Sequence, residues 1–168
     1  FHYNPEILNI KDGTDLIGYF QSELYFKEYA NKIREEFRFK EEIQDKAQEI
    51  YHYCYHNYIS RFSTQLIAIH IRRGDYVVLP DHHPIPSINY YKDGIEYIKS
   101  QINRPYIVLV FSDDIKWCKE NLNDIENVFF IENDTYIDLC LMSWCDHFVI
   151  ANSSYSWWAA WLCENKDK

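Results

Sequence analysis

The stretch LIAIHIRRGDYVV, residues 66–78, decides the fold. Leu66 to His70 is a short apolar run rich in β-branched residues, and it gives way abruptly to Arg72, Arg73, a glycine and Asp75. A continuous apolar run of that length reads as a strand buried on both faces, the mark of a parallel sheet covered by helices. Such sheets bind ligands outside the carboxyl ends of their strands. A strand that ends in two guanidinium groups therefore delivers them to a binding position. Guanidinium is planar, permanently charged and able to donate paired hydrogen bonds, which suits a diphosphate. The expected ligand is an anionic, phosphorylated small molecule.

Outward from this strand the pattern repeats. Towards the carboxyl end, strands are predicted at Tyr106–Phe111, Val128–Ile131 and His147–Ala151. Helices are predicted at Tyr90–Ser100, with Ile95 and Ile98 on one face, and at Asp114–Asn121, Tyr136–Trp144 and Ser156–Cys163. Alternation of buried strands with helices predicts an α/β fold, a Rossmann-like parallel sheet flanked by helices. A further strand would ordinarily follow the last helix, so the carboxyl end reads as truncated. Towards the amino end, Ile43, Ala47, Ile50 and Cys54 have helical spacing and predict a helix over Glu41–Tyr58. Ser22 is placed to cap a helix over Glu23–Glu36. Residues 14–20, TDLIGYF, read as a short strand or an extended lead-in. The expected division is a mostly helical segment over 1–63 and a sheet domain over 64–168.

Bulk properties narrow the function. The 168 residues are 47% hydrophobic and 18% aromatic, enough to bury a core rather than remain disordered. The net charge of -9 disfavours nucleic acid and anionic membrane as partners, so any phosphate site must be local. No apolar run approaches the ~20 residues of a membrane span. The first residues, FHYNPEILNI, lack the basic start and apolar centre of a signal peptide. The five cysteines form no CxxC pair, and free thiols in a reducing compartment are expected. With 4 glycines, a glycine-rich dinucleotide loop is excluded.

Three clusters carry candidate chemistry. His70, Arg72, Arg73 and Asp75 end the first strand. They read as a diphosphate clamp in which Asp75 orients an arginine or a substrate hydroxyl. A surface ion pair between Arg73 and Asp75 is the plainer alternative. The Arg73-Gly74-Asp75 triplet abuts a buried strand, which argues against an adhesion role. Ser112, Asp113 and Asp114 end the second strand, where carboxylates would receive nucleotide N–H or hydroxyl groups or cap the next helix. Asn152, Ser153, Ser154 and Ser156 end the fourth strand at a helix start, either a plain cap or a phosphate cradle. Their alignment with the arginines on one sheet edge favours phosphate. Trp157, Trp158 and Trp161 read as core. His52 and His56 have the spacing of a metal pair but lack a third ligand, and His82 and His83 lie in a proline-rich loop.

Taken together, HIRRGDYV at 70–77, FSDDIKWCKENL at 111–122 and DLCLMSWCDHFVIANSSYSWWAAWL at 138–162 resemble the α-1,2-fucosyltransferases of glycosyltransferase family 11. GYFQSELYF at 18–26 resembles the segment preceding them in bacterial members. The resemblance implies the donor-binding half of a GT-B-like glycosyltransferase, without the family's amino-terminal acceptor domain. It implies inverting transfer of L-fucose from GDP-L-fucose to the 2-hydroxyl of a galactose-containing glycan, with no obligatory metal and no other cofactor. Carried onto matching positions, it makes Arg72 the diphosphate ligand supported by Arg73. His70 approaches the nucleoside, Asp138 reads the guanine edge, and Ser153, Ser154 and Ser156 form the phosphate loop. Ala159 stands where many members have glycine. Asp75 is the first candidate for the base that deprotonates the acceptor, and His82 the second. A cytoplasmic location is expected, with peripheral association at the inner membrane face left open. Two alternatives stand beside transfer of fucose: a GDP-sugar-binding piece without catalysis, and a transferase using another nucleotide sugar.

Overall fold

Alternation along a strand sends successive side chains to opposite faces of its sheet, and the central strand β1 (Gln65–Ile71) shows how these residues use it. Leu66 and Ala68 join an apolar cluster on one face, while Ile67, Ile69 and Ile71 join a second cluster on the other. Both faces are covered, so every residue from Leu66 to Ile71 is buried. The computed structural model describes residues 3–58, 64–78, 84–165 and 168.

Four strands form the sheet: β1, β2 (Tyr106–Ser112), β3 (Val128–Ile131) and β4 (His147–Ile150), in spatial order β3-β2-β1-β4. All three pairings are parallel. One face is covered by α2 (Glu41–His56), α6 (Thr135–Ser143) and α7 (Ser154–Leu162). Ala47 and Cys54 of α2 meet Leu109 and Phe111 of β2 and Leu141 of α6 in one buried cluster. The other face is covered by α4 (Ile88–Gln101) and α5 (Ile115–Asn121), through Tyr91, Ile95, Ile98 and Cys118. Fully burying one such aliphatic side chain stabilises the fold by roughly 1.5–3 kcal/mol before entropy is counted. The five cysteines are buried free thiols. Burial alone pushes Cys54 up to about 11 and Cys140 up to about 12, so neither is a thiolate near neutrality.

The expected parallel α/β sheet is therefore present. Val128–Ile131 is a strand residue for residue, and the other strands differ from their predicted limits by one residue at either end. Helix limits around the sheet moved by up to two residues. Ser87 accepts from the Tyr90 N–H and starts α4 two residues early, and α7 begins at Ser154 rather than Ser156. A five-residue helix, α3 (Gly74–Val78), takes in the Gly-Asp part of the Arg-Gly-Asp triplet, where no helix was predicted.

The chain divides into two compact units, Phe1–Arg38 and Phe39–Lys168. α2 lies in the second unit, where it packs its apolar stripe onto α6 and shares the apolar cluster on that face of the sheet. In the first unit Ser22 caps a single 3-10 turn, Glu23–Tyr25, not a helix running to Glu36. Phe26 leaves helical geometry at φ -136°, a second 3-10 turn follows, and α1 covers only Ala30–Glu36. Residues 14–20 form no strand, and Phe20 stands in the left-handed region at φ 44°. An unpredicted 3-10 turn, Pro5–Asn9, is capped by Asn4.

Candidate functional site

The carboxyl ends of β1 and β2 finish side by side, with Ile71 opposite Ser112. On the other flank β1 pairs His70 with Ile150 of β4. The residues leaving these strands wall a cleft of about 540 Å³, within the usual range of small-molecule sites. His70, Arg72, Asp75 and Tyr76 come from the end of β1 and from α3. Phe111, Ser112 and Asp113 come from the end of β2. Asn133, Thr135 and Asp138 come from the start of α6, and Ser153, Ser154 and Tyr155 from the start of α7.

The two adjacent arginines part company here. Arg72 faces the cleft, where Nη2 donates to Asp75 Oδ1 at 2.6 Å and Nη1 meets Asp113 Oδ2 at 2.9 Å. Arg73 turns away and does not line the cleft. Its Nε donates to Asp114 Oδ2 at 3.0 Å, and its guanidinium lies 3.9 Å from the centre of the Trp117 ring. The Arg73 bonds and a second bond from the Trp117 N–H hold the Asp114 carboxylate below its ordinary pKa. Asp114 is thus both the cap of α5 and the anchor of Arg73. The ion pair with Asp75 is made by Arg72, not by Arg73 as the plainer sequence reading has it.

His70 is 5% exposed, and its ring lies 5.3 Å from that of Tyr155. Burial lowers its pKa from 6.5 to about 4, outweighing the opposing pull of Asp113. The ring is neutral at pH 7, and its Nδ1 is a buried atom with no hydrogen-bond partner. A buried polar atom left unpaired costs free energy unless a ligand or water completes it.

Asp138 sits in the first turn of α6 and is 9% exposed. Its Oδ1 accepts from Asn133 Nδ2 at 3.1 Å. Burial raises its pKa, against the lowering effect of the Asn133 bonds. A neighbouring bond, Tyr155 Oη to the Thr135 carbonyl at 2.6 Å, ties α7 to the start of α6. At the mouth of α7, Ser153 and Ser154 line the cleft.

Of the residues singled out from sequence, the structure brings His70, Arg72, Asp75, Asp113, Asp138, Ser153 and Ser154 to one cleft. Three others lie off it. Arg73 is held by Asp114 and Trp117. Asn152 uses its carbonyl to accept from Tyr76 Oη at 3.1 Å. Ser156 is fully buried inside α7, its Oγ donating to the Ser153 carbonyl at 3.3 Å. The early start of α7 removes Ser156 from the cradle. His82 lies outside the described residues. His52 and His56 sit on α2 with ring centres 6.3 Å apart, and no third ligand joins them among the described residues. Tyr76, Asn133 and Thr135 are wall residues that the sequence reading missed. The only sequence signal for Asn133 and Thr135 was their place at a helix start.

The chain matches the family model described as glycosyl transferase family 11 over residues 6–167. It belongs to that family. It is 40% identical over 162 residues to the alpha-1,2-colitosyltransferase of Escherichia coli, covering 92% of this chain and 53% of that protein. It is 32% identical over 168 residues to the O-antigen biosynthesis glycosyltransferase WbnK of Escherichia coli, covering 96% of this chain and 54% of that protein. Similarity extends to the galactoside alpha-(1,2)-fucosyltransferase 2 of Sus scrofa, 29% identical over 160 residues, or 88% of this chain and 45% of that protein. The chain therefore spans about half the length of the curated relatives it matches.

Among solved structures, the NodZ alpha-1,6-fucosyltransferase soaked with GDP-fucose superposes with a TM-score of 0.53 at 15% identity, over 74% of this chain and 43% of that one. The fucosyltransferase NodZ from Bradyrhizobium superposes with a TM-score of 0.52, over 71% of this chain and 41% of that one. The fold is accordingly α/β and GT-B-like. No helix among the described residues is long and apolar enough to cross a membrane.

Proposed function

We propose that the cleft binds the donor of an inverting glycosyltransferase, with GDP-L-fucose as donor and the 2-hydroxyl of a galactose-containing glycan as acceptor. The observation that supports this reading is the meeting of Arg72, the serines opening α7, and the buried carboxylate of Asp138 around one cleft. Arg72 and the Ser153–Ser154 turn suit the diphosphate. The carboxylate of Asp138 suits the N–H groups on the guanine edge, and His70 Nδ1 is available to a polar atom of the nucleoside. Arg73 contributes indirectly, by fixing the turn that carries Arg72.

In the reaction the bond between fucose C1 and the β-phosphate oxygen breaks, and GDP leaves with the electron pair. The acceptor oxygen forms its bond to C1 from the opposite face, and its proton passes to a base. Negative charge grows on the β-phosphate as the first bond breaks, so a cation placed there stabilises the transition state more than the ground state. Arg72 fills that role. Asp75 is the candidate base, using the carboxylate oxygen that does not pair with Arg72. The transfer proposed needs no metal, and the location proposed is cytoplasmic.

A second reading concerns the sugar. The 40% identity to a protein named as a colitosyltransferase favours a different sugar on the same kind of donor. Arg72 and the serines recognise diphosphate and leave the sugar open.

Calorimetric titration of the chain with GDP, GDP-fucose and UDP, with and without chelator, tests the proposal. Selective binding of GDP and GDP-fucose, unchanged by chelator, is the expected outcome. Competition by other GDP-sugars separates the two readings. Binding of UDP as tight as GDP, or no binding by a folded sample, overturns the donor-site assignment.

A further inference from the structure

Two consecutive aspartates hold two consecutive arginines: Asp113 meets Arg72, and Asp114 meets Arg73. The two carboxylates have different surroundings. Asp113 Oδ1 accepts from the backbone N–H of Arg73 at 2.8 Å, while its Oδ2 meets Arg72 Nη1 at 2.9 Å. One carboxylate therefore grips both the backbone after β1 and the guanidinium that this backbone carries. Space for it exists because residue 74 is glycine. A Cβ on Gly74 would lie 2.5 Å from Asp113 Oδ2, closer than any real contact allows. Asp75, the other carboxylate on Arg72, sits three residues along the chain with a side chain 54% exposed; that of Asp113 is 25% exposed.

Arg72 is the one cationic side chain lining the cleft among the described residues. An incoming phosphate must compete with carboxylates for its N–H groups. Asp75 is the partner that can yield, because it is held through its bond to Arg72 Nη2 and its side chain faces water. Asp113 cannot swing away without also surrendering the Arg73 N–H.

We propose that Asp113 is a positioning residue which, seated in the space left by Gly74, aims Arg72 at the donor phosphates without touching the donor itself. This departs from a role for Asp113 as a direct ligand of the nucleotide, and it rests on the donor-site reading above. Asp113→Asn keeps an oxygen for the Arg73 N–H and removes the charge from Arg72. Gly74→Ala leaves both charges in place and displaces the carboxylate.

The test reads the guanidinium first. In nitrogen NMR spectra of the ligand-free chain, Arg72 shows restrained rotation of its Nη groups, and both variants release it. Binding is read next, by phosphorus NMR with GDP, a method that follows millimolar affinities. Asp113→Asn weakens GDP roughly tenfold when Arg72 is present and less than twofold in an Arg72→Ala background, as expected of a group acting through the arginine. Circular dichroism establishes that each variant is folded.

An unchanged Arg72 spectrum in folded Asp113→Asn overturns the inference. So does an equal loss of GDP affinity in both backgrounds, which is the signature of a direct ligand. Absence of GDP binding by the parent chain overturns the donor-site reading instead, while the spectrum still decides whether Asp113 restrains Arg72.

Discussion

The two ends of the sheet carry charges in different ways. At the carboxyl ends, Arg72 is held by Asp75 and Asp113, and beside it stand the buried Asp138 and the unpartnered Nδ1 of His70. Near the amino ends of β2 and β3, a hollow of about 350 Å³ is lined by Lys92, Lys99, Glu96, Asp124 and Glu126 over Ile95, Ile125 and Tyr106. There the lysines pair with carboxylates at 2.7 Å, Lys92 with Asp124 and Lys99 with Glu96. Those carboxylates are largely exposed, at 61% and 68%, and such pairs are screened by water and salt. One end has charges set into a partly buried frame and a buried ring nitrogen, His70 Nδ1, without a partner. At the other, the lysines are already paired with solvated carboxylates. Geometric preorganisation, more than the number of charges, separates a candidate site from a charged surface.

The sharpest way to break this contrast is to remove its centre. Arg72→Ala is expected to weaken GDP on the order of a hundredfold. Two hydrogen bonds to a charged phosphate are worth about 3 kcal/mol together, and their loss leaves Asp75 and Asp113 to repel the anion. Near-parent affinity in calorimetry would remove Arg72 from the donor site.

Asp138 should show opposite effects on binding and on folding. Folded Asp138 holds its proton more tightly than unfolded Asp138, because burial raises its pKa. Stability therefore falls as pH rises from the ordinary carboxylate range, about 4, towards the raised value, and the deficit persists above it. Asp138→Asn is expected to melt above the parent at pH 7, with the gap closing near pH 4, and to lose preference for guanine over adenine nucleotides. A lower melting temperature at pH 7 would assign Asp138 a net stabilising charge.

His70 gives a smaller effect with the opposite slope. The unfolded ring takes up a proton near 6.5 and the folded ring only near about 4. The stability carried by the neutral ring is complete above 6.5 and is lost as pH falls to about 4. Replacing it in His70→Gln should flatten that portion of a stability profile measured by denaturant titration from pH 4 to 7. An unchanged slope would place the acid sensitivity elsewhere.

At the far end, Lys92→Ala breaks the pair with Asp124. GDP titration and the melting temperature should stay close to those of the parent. A clear loss of GDP affinity would join the two ends of the sheet and end the contrast.

Sequence alone determined the strands and their order of alternation with helices. Runs such as Ile107–Phe111 and Val128–Ile131 are too apolar and too β-branched to be stable outside a sheet covered on both faces. It also placed Arg72, Asp113 and the serines at strand ends, and so on one edge of a parallel sheet, and its motifs pointed to the family. What it could not decide is which way each side chain turns. Arg72 and Arg73 are the same residue type one position apart, and only the meeting of the β2–α5 turn with the β1–α3 turn sends one to the cleft and the other to Asp114 and Trp117.

The same limit applies to Ser156, lost to the interior by a two-residue shift in the start of α7, and to α2, which its apolar stripe assigns to the sheet through contacts with α6. Burial of His70 and Asp138, and the pKa shifts that follow, depends on helices brought from distant parts of the chain. Local propensity and hydrophobic period are properties of neighbouring residues and survive in the sequence. Desolvation and ion-pair choice are properties of the packed whole, and only tertiary structure settles them.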